Sequence, residues 1–274
     1  MIIGCAIAPH GALILPDNLD PASESYRIHV SMEQLTQHVQ ELKPDIIFMS
    51  TPHGISLENN FGFYKNARAT GTAEWLNEYK EYAVDLTLDV ETTDKLLKKL
   101  QVNNKVDGIT SYTGLEPIYL RWGEVIPAWF LRHISAKYII MSQPSRRLHN
   151  AHEMIPDLDS LGKEMTDYFQ SIKERVFILI SGDMSHVYQA DGPYGIHPSA
   201  EPFDKAVETW ARTLERTHLT EKAASMINTA LSCGFTGFVL VDSIIRSLNT
   251  KVKSEVLCNL HPTYYGMMVS IFSF

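Results

Sequence analysis

Short apolar runs and one amphipathic stripe give the chain its first readable structure. Residues Ile2–Ala8, Ile46–Thr51 and 176–180 are dominated by Ile, Val, Leu, Ala, Phe and Met. Strands buried on both faces of a parallel sheet read this way, because neither face has to alternate toward water. Between the first two runs, Ile28, Met32, Leu35, Val39 and Leu42 recur at intervals of four and three, which predicts an amphipathic helix that stops before Pro44. Such a strand, helix, strand unit crosses over right-handedly and lays its two strands parallel.

The alternation continues downstream. Apolar runs at 82–88, 138–141 and 176–180 predict further strands, while 92–100, 129–135 and 160–174 predict helices. Helices are also expected over 203–216, 221–231 and 238–248, with Gly234 breaking the second from the third. The chain closes on strand-like runs at 251–258 and 267–272, whose separation by His261-Pro262-Thr263-Tyr264-Tyr265-Gly266 predicts an antiparallel pair at one side of the sheet. Residues 54–71, rich in Gly, Asn and aromatics with weak periodicity, predict a long loop over the strand ends, with Phe61, Phe63 and Tyr64 lining a pocket. The fold expected is α/β, a single domain over residues 1–274 with a mostly parallel or mixed central sheet and helices on both faces.

Composition narrows the function more than the fold. With 45% hydrophobic and 20% charged residues among 274, the chain has the make-up of an ordinary globular protein and no disorder signature. A formal net charge of -8, with no clear basic cluster beyond Arg146-Arg147, argues against a nucleic-acid or anionic-membrane surface and for a small-molecule ligand. No apolar stretch approaches the roughly 18 to 20 residues that span a bilayer. The apolar start has no basic region ahead of it and is stopped by Pro9-His10-Gly11, so it reads as a strand and not a secretory leader; a cytoplasmic protein is expected. Cys5, Cys233 and Cys258 are odd in number and widely spaced, which fits neither a disulfide framework nor a paired-cysteine zinc motif.

Three of the predicted strands run into a histidine. The first leads to Pro9-His10-Gly11, the second to Pro52-His53-Gly54, and the third to Ser181-Gly182-Asp183-Met184-Ser185-His186. Open α/β sheets bind ligands beyond the carboxyl ends of their strands, so all three imidazoles are expected in one crevice. In the Pro-His-Gly context, proline ends the strand, histidine faces the crevice and glycine lets the backbone approach a ligand. His10 and His53 are therefore candidate metal ligands. The turn before His186 offers hydroxyl and carboxylate groups to orient its ring, which suits a general acid/base or a third ligand.

Together with Pro262-Thr263-Tyr264-Tyr265-Gly266-Met267, these motifs resemble, in order and over essentially the whole chain, the LigB superfamily. That superfamily comprises the catalytic subunits of class III extradiol ring-cleavage dioxygenases and their Memo-like relatives. The resemblance implies Fe(II) held by His10, His53 and a carboxylate, with His186 taking a proton from a catechol-like or 2-aminophenol-like substrate and later returning one. A set of two histidines and one carboxylate leaves positions open for the aromatic substrate and dioxygen. A homo-oligomer or a small alpha-type subunit over the pocket are further partners it allows.

Two positions depart from the ring-cleaving pattern. Where those members carry a glutamate before a hydrophobic helix, this chain has Cys233, as in the Memo branch. A thiolate just ahead of a helix start is expected to have a lowered pKa and, with the two histidines, to accept zinc, copper or iron; the alternative is that Cys233 packs as a small apolar residue. Where they carry a histidine before a glycine, this chain has Trp122, which can wall the pocket and stack on a ring or simply pack in the core. Tyr264 and Tyr265 are expected to offer phenols to the substrate. Arg146 and Arg147 could fork onto a substrate carboxylate, although a turn exposing two arginines is the default. His197 and His261 precede prolines in loops and are read mainly as solvated. Alternative functions are a Memo-like metal-binding protein with a partner, peptide or redox role, and a zinc hydrolase.

Overall fold

The computed structural model describes residues 1–16 and 19–274. The first strand, β1 (Ile2–Ala8), is followed by helix α1 (Glu24–Leu42) and β2 (Ile46–Thr51). Ser23 caps α1 by accepting from the Tyr26 N–H at 3.1 Å, and the helix ends at Lys43 in the left-handed region (φ 47°) before Pro44. Ile28, Met32, Leu35 and Val39 are buried, as the stripe requires.

Residues 54–71 correct the expected loop. They contain β3 (Phe61–Tyr64) and most of β4 (Arg68–Thr72), followed by β5 (Ala83–Thr87), α2 (Val90–Leu100), β6 (Val106–Ile109) and β7 (Ile118–Leu120). Phe61 and Phe63 are core residues and line no cavity at the strand ends. The expected helix over 129–135 instead begins earlier, as α3 (Trp122–Phe130), and β8 (Lys137–Ser142) follows it. Then come α4 (Arg147–Asn150), α5 (Ile155–Ser171), β9 (Val176–Ser181) and α6 (Ala200–Thr213). The helix expected over 221–231 is broken into π and 3₁₀ turns that leave only the short α7 (Ile227–Ala230). Helix α8 (Phe235–Ser247) and the strands β10 (Lys253–Leu260) and β11 (Met267–Ser273) complete the chain.

Eight strands form one mixed sheet in the order β10-β11-β1-β9-β2-β8-β3-β6, and a smaller sheet has the order β5-β4-β7. The terminal pair β10 and β11 is antiparallel and lies at one edge. The central four strands, β1, β9, β2 and β8, are parallel, so β9 is inserted between the two strands of the first crossover unit. Both faces are covered. Cys5, Ile7 and Phe48 point into a core shared with α2, α5, α6 and α8, while Ala6, Ala8 and Met49 point into one shared with α1, α3 and the small sheet. Each large side chain fully buried there, such as Phe48 or Ile178, contributes about 1.5–3 kcal/mol relative to exposure. Because Ala8 registers with Ser181, and Ser50 with Ile180, the strands carrying His10, His53 and His186 end at one level.

Candidate metal centre

Two residues past β1 and β2, the imidazoles of His10 and His53 meet edge to face, with ring centroids 4.8 Å apart. Cys233, in the turn before α8, brings its Sγ to 3.4 Å from His10 Nε2. One potential ligand atom from each of His10, His53 and Cys233 lies within 4.8 Å of the others, and the same holds for Asp183, His186 and Cys233. Sequence reasoning missed Asp183. Its carboxylate receives the His10 backbone N–H at 3.0 Å on Oδ1, and Oδ2 lies 3.2 Å from His10 Nε2.

The turn between β9 and His186 does a different job from the one expected. His186 is oriented by a backbone carbonyl, with Nδ1 2.9 Å from Met184 O, and not by the hydroxyls or carboxylate of the turn. A carbonyl only accepts, so His186 carries its proton on Nδ1 and presents a lone pair at Nε2. Ser181 and Asp183 serve His10 instead. Ser181 Oγ donates its one proton to Gly123 O, so it accepts from His10 Nδ1 at 2.8 Å. His10 is thereby fixed with a lone pair on Nε2. Gly123 O is free for this because residue 127, four positions on in α3, is Pro127 and has no N–H to return.

Lone pairs on His10 Nε2, Asp183 Oδ2 and Cys233 Sγ thus converge within hydrogen-bonding range. Such an arrangement needs protons or a cation between its members. Without a cation, protons fill the role: burial raises the Asp183 carboxyl to about 7, against the lowering effect of the His10 N–H. Burial also pushes the Cys233 thiol up, helped by Asp183 and only partly opposed by Arg147. This corrects the expected helix-lowered thiol: in a site this dry, desolvation outweighs the start of α8. Burial lowers His10 well below its ordinary value, His53 to about 3 and His186 to about 4, and Arg147 pushes all three the same way. Neutral imidazoles, a carboxyl and a thiol are the donor set from which a divalent ion displaces protons, and these residues fit one.

A cavity of about 320 Å³ opens over this cluster and is walled by Trp75, Trp122, Tyr79, Tyr264 and Tyr265. Trp122 lies 5.2 Å from the His53 ring and Tyr265 stacks on His186 at 5.4 Å, so both face the crevice. The two Pro-His-Gly glycines are required, but what they admit is protein. A Cβ on Gly11 would sit 2.5 Å from the Tyr265 hydroxyl, and one on Gly54 would sit 2.4 Å from Tyr64 Oη. His197 bonds to Ser199 and His261 stacks on Tyr188 at 4.1 Å; neither lines the cavity.

At the ends of the parallel strands of this α/β sheet, histidines, a cysteine and a carboxylate gather in a cluster that could hold a metal ion. The chain belongs to the family described as the catalytic LigB subunit of aromatic ring-opening dioxygenase, whose model matches residues 4–265. Protein CA_C1420 of Clostridium acetobutylicum is 21% identical over 215 residues, 74% of this chain. The match spans 43% of that relative's length, less than half of it. The crystal structure of an uncharacterized protein, JW3007 from Escherichia coli K12, shares the fold with a TM-score of 0.64 at 13% identity, covering 99% of this chain and 100% of its own. No helix among the described residues is long and apolar enough to cross a membrane.

Proposed function

We propose that this protein is a metal-dependent oxidoreductase of the extradiol type, acting on a catechol-like or 2-aminophenol-like ring. The observation that carries the reading is the convergence of the His10, Asp183 and Cys233 lone pairs beside His53, beneath a cavity walled by aromatic rings. His10, His53 and Cys233 would hold the ion, with Asp183 as the carboxylate of the set. Bound ferrous iron would supply redox capacity and open positions for a diphenol and dioxygen.

The remaining work falls to side chains of the chain itself. His186, neutral at pH 7 with Nε2 free, takes the phenolic proton and can give it back. Trp122 and Tyr265 hold the substrate ring by stacking, and Tyr264 offers a phenol at the rim. The aromatic walls exclude water from the reacting face.

Cys233, standing where ring-cleaving members carry glutamate, favours a second reading: a Memo-like protein that binds a metal for a partner, peptide or redox role without ring cleavage. Ligand affinity alone would then draw copper ahead of zinc or iron. Anaerobic loading with Fe(II), followed by oxygen uptake over catechols, protocatechuates and 2-aminophenols, separates the two. Uptake with at least one ring, lost in His186→Gln, is the expected result; stoichiometric iron with no uptake across the panel would sink the dioxygenase reading. Metal analysis of Cys233→Ala beside His10→Ala tests the thiol, because unchanged metal content in Cys233→Ala removes it from the ligand set.

A further inference from the structure

At the opposite end of the same strands, a cavity of about 520 Å³ lies among the starts of β2 and β8, the turn after α3 and the end of β5. No residue of the metal cluster lines it, and β2, six residues long at about 3.3 Å each, separates the two by about 20 Å. Ile46, Leu86, Leu131 and Ile134 give it apolar walls. Asp45, Asp85, Asp89 and Glu174 bring four carboxylates to it, against the two cations Arg132 and Lys137. Some of these charges are already engaged. Asp85 pairs with Arg68, while Arg132 lies 3.6 Å over the Trp129 ring and donates to Trp129 O at 2.8 Å.

Asp45 Oδ2 receives the Arg175 N–H at 2.8 Å and Asp89 Oδ1 the Thr92 N–H at 3.1 Å, and among the described residues no lysine or arginine side chain pairs with Asp45, Asp89 or Glu174. Three carboxylates therefore face Lys137 alone. Tyr138, the second residue of β8, supplies an independent sign of a ligand. Its side chain forms part of the cavity wall and is only 3% exposed, yet its hydroxyl is buried with no partner. Folded proteins rarely leave such a group unsatisfied, and a ligand or an ordered water is what completes it. The spread of the acids decides which ligand. A divalent ion needs several oxygens around one point, but the groups of three whose ligand atoms lie within 4.8 Å are, among the described residues, those of the metal cluster. Carboxylates dispersed around an apolar surface instead suit a flexible chain with an ammonium at each end and methylenes between.

We propose that this cavity is a binding site for an aliphatic diamine. One ammonium lies on Asp45 and Glu174, which the pairing of β2 with β9 places side by side, and the other on Asp89, whose N–H bonds Tyr138 O at 2.9 Å. From β2 across β8 to Asp89 is two strand spacings, about 10 Å, which the diamine spans with its methylenes on Ile46, Leu86 and Ile134. The Tyr138 hydroxyl accepts a hydrogen bond from the ammonium on Asp89. This site shares no side chain with the metal centre, so it stands whatever reaction that centre performs.

Isothermal titration of the full chain with 1,4-diaminobutane and 1,5-diaminopentane, beside 1-aminobutane, tests the site. Saturable binding of one diamine per chain is expected, about tenfold tighter than the monoamine, the scale of one added charge-assisted contact. Glu174→Gln and Asp89→Asn should each weaken it about tenfold; asparagine keeps an acceptor for the Thr92 N–H that starts α2, so the helix cap survives. Glu221→Gln changes the net charge equally at an exposed position outside the cavity and should leave binding as it was. Tyr138→Phe should also bind the diamine about tenfold more weakly, yet melt no lower without it, because the hydroxyl it removes has no partner in the protein. Equal weakening by Glu221→Gln would mean that a chain of net charge -8 merely gathers cations, and that overturns the proposal. Unchanged affinity in Tyr138→Phe overturns it as well, since the hydroxyl then belongs to water. Binding that disappears when metal is stripped with a chelator would put the amine on the metal instead. Absence of saturable binding by the unmutated protein sinks the site outright, with no variant needed.

Discussion

Removing the Ser181 hydroxyl leaves His10 Nδ1–H and the Gly123 carbonyl buried with no partner between them. The cost has two parts with different readouts. Unsatisfied buried groups cost about 1–3 kcal/mol of stability. The imidazole also loses the contact that selects its tautomer, and removal of such a metal-site partner typically weakens metal binding about 10- to 100-fold. Ser181→Ala is therefore expected to unfold at lower temperature and to lose metal to a competing chelator at least about tenfold more readily; unchanged chelator competition would show that His10 needs no orienting partner. Ser181 and Asp183 also show where sequence reading stops. Both lie in the motif that ends at His186, and adjacency assigned them to that ring. The parallel pairing of β9 with β1 sets Ser181 opposite Ala8 and brings it and Asp183 to His10 instead, and a contact between positions 10 and 183 leaves no local trace in the sequence.

At the scale of elements, the strands that carry the site were legible because they are buried on both faces, and burial forces continuous apolar runs on β1, β2 and β9. Of the small sheet only β5 was, as the run at 82–88. Its central strand β4 reads Arg-Ala-Thr-Gly-Thr, with Arg68 exposed and only Ala69 and Gly71 buried, so no apolar run marks it. Helix α3 was hidden for the opposite reason, since Gly123 and Pro127 are the residues that usually argue against a helix. Both have uses there: Pro127 frees the carbonyl that Ser181 needs, and Gly123 lets α3 lie against the His53 turn. A Cβ at Gly123 would sit 2.8 Å from His53 Cβ and 3.2 Å from Thr51 Oγ1. Gly123→Ala is thus expected to push α3 off the end of β2, at the roughly 1–3 kcal/mol typical of overpacking. The melting temperature should fall and metal occupancy with it; a drop in melting temperature with full occupancy would mean that His53 is held independently of α3.

Over the whole molecule, the buried titratable groups oppose one another. Burial raises the carboxyls of Glu124, Asp183 and Asp204 to about 7, so in the folded metal-free protein they keep protons that the unfolded chain has released above about pH 4. Stability from these groups falls as pH rises from about 4 to about 7. His10, His53 and His186 behave oppositely, staying neutral when folded while the unfolded chain takes up protons below about 6.5, so their contribution falls as pH drops. Asp242, also raised, and His38, also lowered, add one more group of each sign. The two sets therefore oppose each other between pH 5 and 6, and the melting temperature of the metal-free protein should vary less there than either set alone would make it. Asp204 allows one side of this balance to be altered without removing a member of the metal cluster. Its carboxyl receives the Ser185 N–H and the Tyr188 hydroxyl, both at 2.9 Å, and an amide is the uncharged mimic of its protonated form. Asp204→Asn removes one retained proton, so its stability relative to the unmutated protein should rise by about 1.4 kcal/mol per pH unit between 5 and 6. Above pH 7 that difference should level off, because Asp204 is then ionised in both states. Melting curves of the two metal-free proteins across pH 4.5 to 8 decide it: parallel profiles would mean that Asp204 ionises normally in the fold.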